Sequence, residues 1–151
     1  LSIYVDADAC PVKHEIQQVA RSFAIDVFLV ASYAHYSPSR VGKWKYVDST
    51  KESADLYIVN HVHTGDIVIT DDYGLSSLLV PRNVYVLTSR GKTIHEGNID
   101  TYLEQRFLAQ KARNAGYRTK GPSALKKEDK QKFVERLQAL LHSLIDNEWP
   151  Q

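Results

Sequence analysis

Four short, mainly apolar runs recur along this chain, at Ser2–Val5, Val27–Val30, Ile67–Thr70 and Val84–Leu87. Strands with one face in water alternate apolar and polar residues, whereas unbroken runs suit strands covered on both faces. The segments between them carry helical spacing instead. Val12, Ile16, Val19, Ala20 and Phe23 form one stripe of a helix from Pro11 to about Phe23, and further helices are predicted from Ser53 to about Val62 and over Gly74–Leu79. Strands alternating with helices need crossover connections, and so predict a parallel α/β sheet flanked by helices. Lys45–Val47 and Thr93–His95 read as minor strands, and Ser32–Trp44 as a polar loop.

From Asn98 the pattern is wholly helical. Ile99, Leu103, Phe107 and Leu108 give one stripe, with Gly116 as a stop. Lys120-Gly121-Pro122-Ser123 breaks the pattern. A last helix from near Lys126 places Phe133, Leu137, Leu140, Leu141, Leu144 and Ile145 on one face, which needs a partner surface. Residues 1–151 are expected to form one domain, with 97–151 as its basic helical extension.

At 151 residues, 43% hydrophobic and 25% charged, the composition suits a soluble globular protein. No apolar run approaches the roughly 20 residues of a membrane span. Asp6 and Asp8 interrupt the one apolar stretch near the N-terminus, so no signal peptide is expected there. A single cysteine, Cys10, points to a reducing, cytoplasmic setting. Charge is unevenly spread: residues 1–105 carry a net −4, 106–136 a net +7 and the remainder −2. An acidic site beside a basic arm suits a metal-dependent enzyme acting on a polyanion, although long helices also carry solvated basic faces.

Two of the strongest strands end in paired acids, Asp6/Asp8 and Asp71/Asp72. Ligands of open parallel sheets bind outside the carboxyl ends of the strands. Carboxylates gathered there repel unless a cation compensates them, and oxygen-rich clusters suit Mg²⁺ or Mn²⁺. Asp55, in the first turn of the intervening helix, is a further candidate ligand. Each acid also has a plainer reading, Asp8 and Asp55 as helix-terminus residues and Asp6 as a turn residue. Asp66 belongs to the opposite rim, as a turn residue. Carboxylates around one or two divalent ions would support phosphodiester hydrolysis.

Other reactive groups carry less. A helix N-terminus would favour a Cys10 thiolate, but packing beside Pro11 explains the residue as well. His61 and His63 lack the further ligands of a zinc site. The glycines form neither G-x-G-x-x-G nor a P-loop, so nucleotide cofactors are not expected. Ser37 and Arg40 in the mid-chain loop are candidate phosphate contacts, as is Lys120.

Ile3-Tyr4-Val5-Asp6-Ala7-Asp8-Ala9-Cys10-Pro11-Val12 resembles the N-terminal signature of the YaiI/YqxD family of bacterial proteins. The similarity continues through Ser37-Pro38-Ser39-Arg40, Ser53-Ala54-Asp55, Gly65–Leu75 and Arg118–Ser123. That family looks like a branch of the PIN-like superfamily, which implies a three-layer α/β fold and metal-dependent ribonuclease activity. On this resemblance Asp6, Asp55 and Asp71 match the catalytic acids, with Asp8 and Asp72 as additional ligands. Many PIN nucleases carry Ser or Thr shortly after the first acid, where this chain has Asp8-Ala9-Cys10.

Three functions are therefore in play. The first is a Mg²⁺- or Mn²⁺-dependent nuclease acting on RNA, with Arg113, Arg118, Lys120, Lys126 and Lys127 gripping the backbone. The second is a haloacid-dehalogenase-type phosphatase using Asp6 as nucleophile and Asp8 as its acid. Cys10 stands where that motif usually has Thr or Val. The third is a non-catalytic nucleic-acid-binding module.

Overall fold

The computed structural model describes residues 1–38, 40–50, 52–118 and 123–148. Its elements are β1 (Ser2–Asp6), α1 (Lys13–Ser22), β2 (Asp26–Ser32), β3 (Lys43–Val47), α2 (Ser53–His61), β4 (Ile67–Ile69), α3 (Tyr73–Leu79), β5 (Tyr85–Leu87), β6 (Thr93–Ile94), α4 (Ile99–Asn114) and α5 (Lys127–Glu148). Short 3₁₀ turns lie at Tyr33–His35 and Val80–Arg82. The strand order is β3-β2-β1-β4-β5-β6. All neighbours are parallel except β5 and β6. This is the helix-flanked α/β sheet that the alternation of runs predicted, in the three-layer arrangement that the family resemblance implied.

Residues along each central strand alternate between two cores. Ile3, Val5, Leu29, Ala31, Ile67, Ile69 and Leu87 pack with Val12, Ile16, Val19 and Ala20, against α1 and α5. Tyr4, Val30, Val68 and Val86 face the other way, onto Ile58, Leu75, Leu79 and Ile99 of α2, α3 and α4. Both faces are apolar because both are covered. The apolar stripe of α5 finds its partner surface here, since Phe133, Leu137 and Leu141 are fully buried in the first core.

Some boundaries differ from the sequence reading. Pro11 precedes α1, which begins at Lys13 because the chain first turns through a Cys10 N–H to Ala7 carbonyl bond. Strands β2 and β3 extend beyond their apolar segments, pairing in register from Phe28–Lys43 to Ser32–Val47. Cys10 is buried with the core, and burial pushes its thiol up to about 11, so it is not a thiolate nucleophile at neutral pH.

Asp66 does sit on the opposite rim, 6% exposed. Its carboxylate accepts the Ser2 N–H at 3.0 Å and the His63 N–H at 2.9 Å, tying the start of β1 to the turn before β4. Asp66→Ala would leave two amides without their acceptor. A loss of about 2–4 kcal/mol is expected, read as a lower urea midpoint with an unchanged slope.

Candidate active site

Strands β1, β2 and β4 run parallel, so their carboxyl ends share one rim. Asp6 closes β1, and its Oδ2 accepts the Thr70 hydroxyl at 3.0 Å. Thr70 directly follows β4, and its Oγ1 also accepts the Asp72 N–H at 3.0 Å. One hydroxyl thus joins the ends of two strands. Asp8 does not cap α1, whose N-cap position is Val12 with no side-chain cap. Both its oxygens instead accept the Ser32 N–H, at 3.0 and 3.1 Å, and its Oδ1 lies 3.0 Å from His35 Nδ1.

Asp72 is the N-cap of α3, its Oδ1 accepting from Gly74 N–H at 2.8 Å and Leu75 N–H at 3.2 Å. Arg106 Nη1 from α4 stands 3.5 Å from the same oxygen. Asp55, in the first turn of α2, completes the group. Asp6, Asp8, Asp55 and Asp72 line a single cavity of about 340 Å³, with His35 and Asp48.

Asp71 lies elsewhere. Its Oδ1 accepts the Ser89 N–H at 2.8 Å and its Oδ2 the Ser89 hydroxyl at 2.6 Å. It lines a neighbouring cleft of about 750 Å³, among Tyr73, Arg90, Lys92, Tyr102 and Arg106. Of the pair that ends β4, the acid cavity therefore receives Asp72.

The expected basic arm is also set apart, since none of Ser37, Arg40, Arg113, Arg118, Lys126 or Lys127 lines the acid cavity. Arg40 lies over the Trp44 ring, and Arg113 donates to Gln110 from the last turn of α4. Arg118 is exposed beyond α4, and Lys126 and Lys127 are exposed where α5 begins. Lys120 lies outside the described residues. The cations nearest the acids are ones that sequence reasoning missed, notably Arg106. Its only signal would have been a basic residue at helical spacing from Tyr102.

Burial raises the Asp6 carboxyl, opposed by the Thr70 hydrogen bond and reinforced by Asp72, Asp8 and Asp71. Burial likewise raises Asp55 to about 6, aided by the charges of Asp72, Asp6 and Glu52 and opposed by Arg106. A carboxyl whose folded value exceeds its unfolded one contributes stability that is complete below the unfolded value. That contribution is lost as pH rises through the folded value. Without metal, the melting temperature should therefore fall as pH rises from about 4 to 7. Because Asp55 is partly solvated, the effect is screened to about 1 kcal/mol, or a few degrees. Asp55→Asn should flatten that slope in a thermal-melt series, and an unchanged slope would show that Asp55 does not cause it.

Among the described residues, no three His, Cys, Asp or Glu side chains form a ready-made metal cage. A Mg²⁺ site needs no such cage, since the ion commonly takes one or two carboxylates and completes its octahedron with water and substrate phosphate. Five acids on one cavity, two of them raised by burial and mutual repulsion, are a site that a cation would stabilise. Among the described residues no helix is long and apolar enough to cross a membrane.

Comparison with known proteins adds kinship to this geometry. A UPF0178 protein of Bacillus velezensis is 49% identical over 142 residues, covering 93% of this chain and 84% of its own. Another from Bacillus cytotoxicus is 47% identical over 139 residues, covering 92% of this chain and 91% of its own. One from Listeria welshimeri is 42% identical over 142 residues, covering 93% and 95%. No solved structure matches the chain. The model of a family described as uncharacterised, YaiI/YqxD, matches residues 4–143, and the chain belongs to that family.

Proposed function

We propose that this protein is a divalent-metal-dependent nuclease that hydrolyses RNA phosphodiester bonds in the cytoplasm. The observation that carries the reading is the convergence of Asp6, Asp8, Asp55 and Asp72, from separate elements, on one cavity at the carboxyl rim of the sheet. Bound there, Mg²⁺ or Mn²⁺ would supply Lewis acidity to the phosphoryl group and to attacking water. Asp6, with Asp55 or Asp72 beside it, would hold the ion, and water would complete its shell. Thr70 orients Asp6, and the Ser32 amide orients Asp8. His35 is half exposed, and its Nδ1 lies 3.0 Å from Asp8 Oδ1 at the cavity wall. Arg106 borders both the acids and the basic cleft, where its guanidinium can face a phosphate oxygen.

Purified protein with Mn²⁺ should cleave a mixed panel of single-stranded RNAs, and a chelator should stop it. Turnover of small phosphomonoesters with intact RNA would replace the nuclease with a phosphatase. RNA binding without cleavage under any divalent ion would leave a binding module.

A further inference from the structure

The loop between β2 and β3 carries an aromatic cluster that the acid site does not use. Tyr33 opens the 3₁₀ turn after β2 and Tyr36 follows it, and they are 61% and 58% exposed. Behind them stand Trp44 and Tyr46, two apart on β3 and so on one face of that edge strand. Tyr33 stacks on Tyr46 with centroids 6.0 Å apart, and Tyr36 meets it edge-on at 5.0 Å. Trp44 lies nearly parallel to Tyr46, at 14° and 6.1 Å. The Arg40 guanidinium sits 4.1 Å above the Trp44 ring.

Two of these rings are half-buried supports and two are presented to solvent. Large exposed aromatics backed by rigid stacked rings cost little conformational entropy when they bind, and every nucleobase offers them a π-face. The position matters as much as the composition. Ala34 and His35, between the two exposed tyrosines, are wall residues of the acid cavity. Platform and cavity thus share one three-residue turn. Arg40 adds positive charge where a phosphate backbone would run, while the cavity itself is negative.

We propose that Tyr33 and Tyr36, backed by Tyr46 and Trp44, form a stacking platform for the bases of single-stranded RNA, delivering the adjoining phosphodiester to the acid cavity. The choice of RNA rests on the nuclease reading, but the stacking itself does not depend on cleavage. Stacking also requires unpaired bases, so the platform selects single strands over duplex.

The test is binding of a fluorescein-labelled 12-nucleotide mixed-sequence RNA in EDTA, followed by anisotropy, so that no cleavage is needed. Tyr33→Ala/Tyr36→Ala should weaken binding at least about fivefold, while Tyr33→Phe/Tyr36→Phe retains it. Arg40→Gln should weaken binding and flatten its salt dependence. Circular dichroism should show unchanged folding, since both tyrosines are exposed. Unchanged affinity of the double alanine variant would overturn the platform, as would failure of the native chain to bind this RNA. Equal affinity for the matching duplex would overturn it too. A drop in oligomeric mass in the variant would reassign the surface to contact between copies. Platform-dependent binding without cleavage under Mn²⁺ would refute the nuclease and keep the platform, whereas cleavage unaffected by the variants would do the reverse.

Discussion

Asp6→Asn should lower Mn²⁺-dependent RNA cleavage by about a thousandfold or more while leaving the fold intact. The carboxylate closes the central parallel strand, is largely removed from solvent, and borders the cavity that four other acids share. Exchanging it for an amide removes a negative charge where a cation would have to bind. Metal assistance contributes several kcal/mol to such hydrolysis, and each 1.36 kcal/mol is tenfold in rate. The amide oxygen still accepts the Thr70 hydroxyl, and a source of repulsion is gone, so thermal stability should hold or rise. The informative contrast is with position 71. Asp71 is spent on Ser89 and lines the other cleft, so Asp71→Asn should cost about tenfold and act chiefly through that loop. Asp72→Asn should resemble Asp6→Asn in cleavage. If instead Asp71→Asn is as inactive as Asp6→Asn and Asp72→Asn is active, the cavity is not the catalytic centre. If Asp6→Asn cleaves like the native chain, the nuclease assignment falls altogether.

That contrast shows where sequence reasoning stops. The strands were legible because parallel sheets covered on both faces need unbroken apolar runs, and Ile67-Val68-Ile69 can hardly be anything else. The placing of acids at the carboxyl rim followed from topology alone. Which acid of a neighbouring pair faces the cavity did not, because that depends on the turn leaving β4. Asp72 is committed to capping α3, and the cap's geometry turns it toward Asp6 and Asp55. Asp8 was ambiguous for a related reason: its partners, Ser32 and His35, are 24 and 27 residues away, and no local pattern reports them. The aromatic platform was equally hidden. Tyr33, Tyr36, Trp44 and Tyr46 have no common period across a loop and a strand, and only the pairing of β3 with β2 assembles them.

Phe133→Ala should cost about 3–5 kcal/mol and shift the whole unfolding transition, although its helix belongs to the segment read as a basic extension of the domain. Phe133 is fully buried, and with Leu137 and Leu141 it fills one face of the core under α1 and the sheet. The helix also crosses the chain closely at Gly91, where a Cβ would lie 3.3 Å from the Phe133 Cα and φ is +81°. Arg90, next to that glycine, reaches Asp129 at 3.3 Å and donates to the Ser123 carbonyl, fastening the start of α5 to the loop that holds Ser89. Loosening α5 should therefore reach the basic cleft through this loop before it reaches the acid cavity. Chemical denaturation of Phe133→Ala should show one transition at lower midpoint, with native-level cleavage by the fraction still folded. Two separated transitions, or a loss under 1 kcal/mol, would instead mark α5 as a detachable arm. The charge segregation along the chain would then describe two independent pieces rather than one folded body.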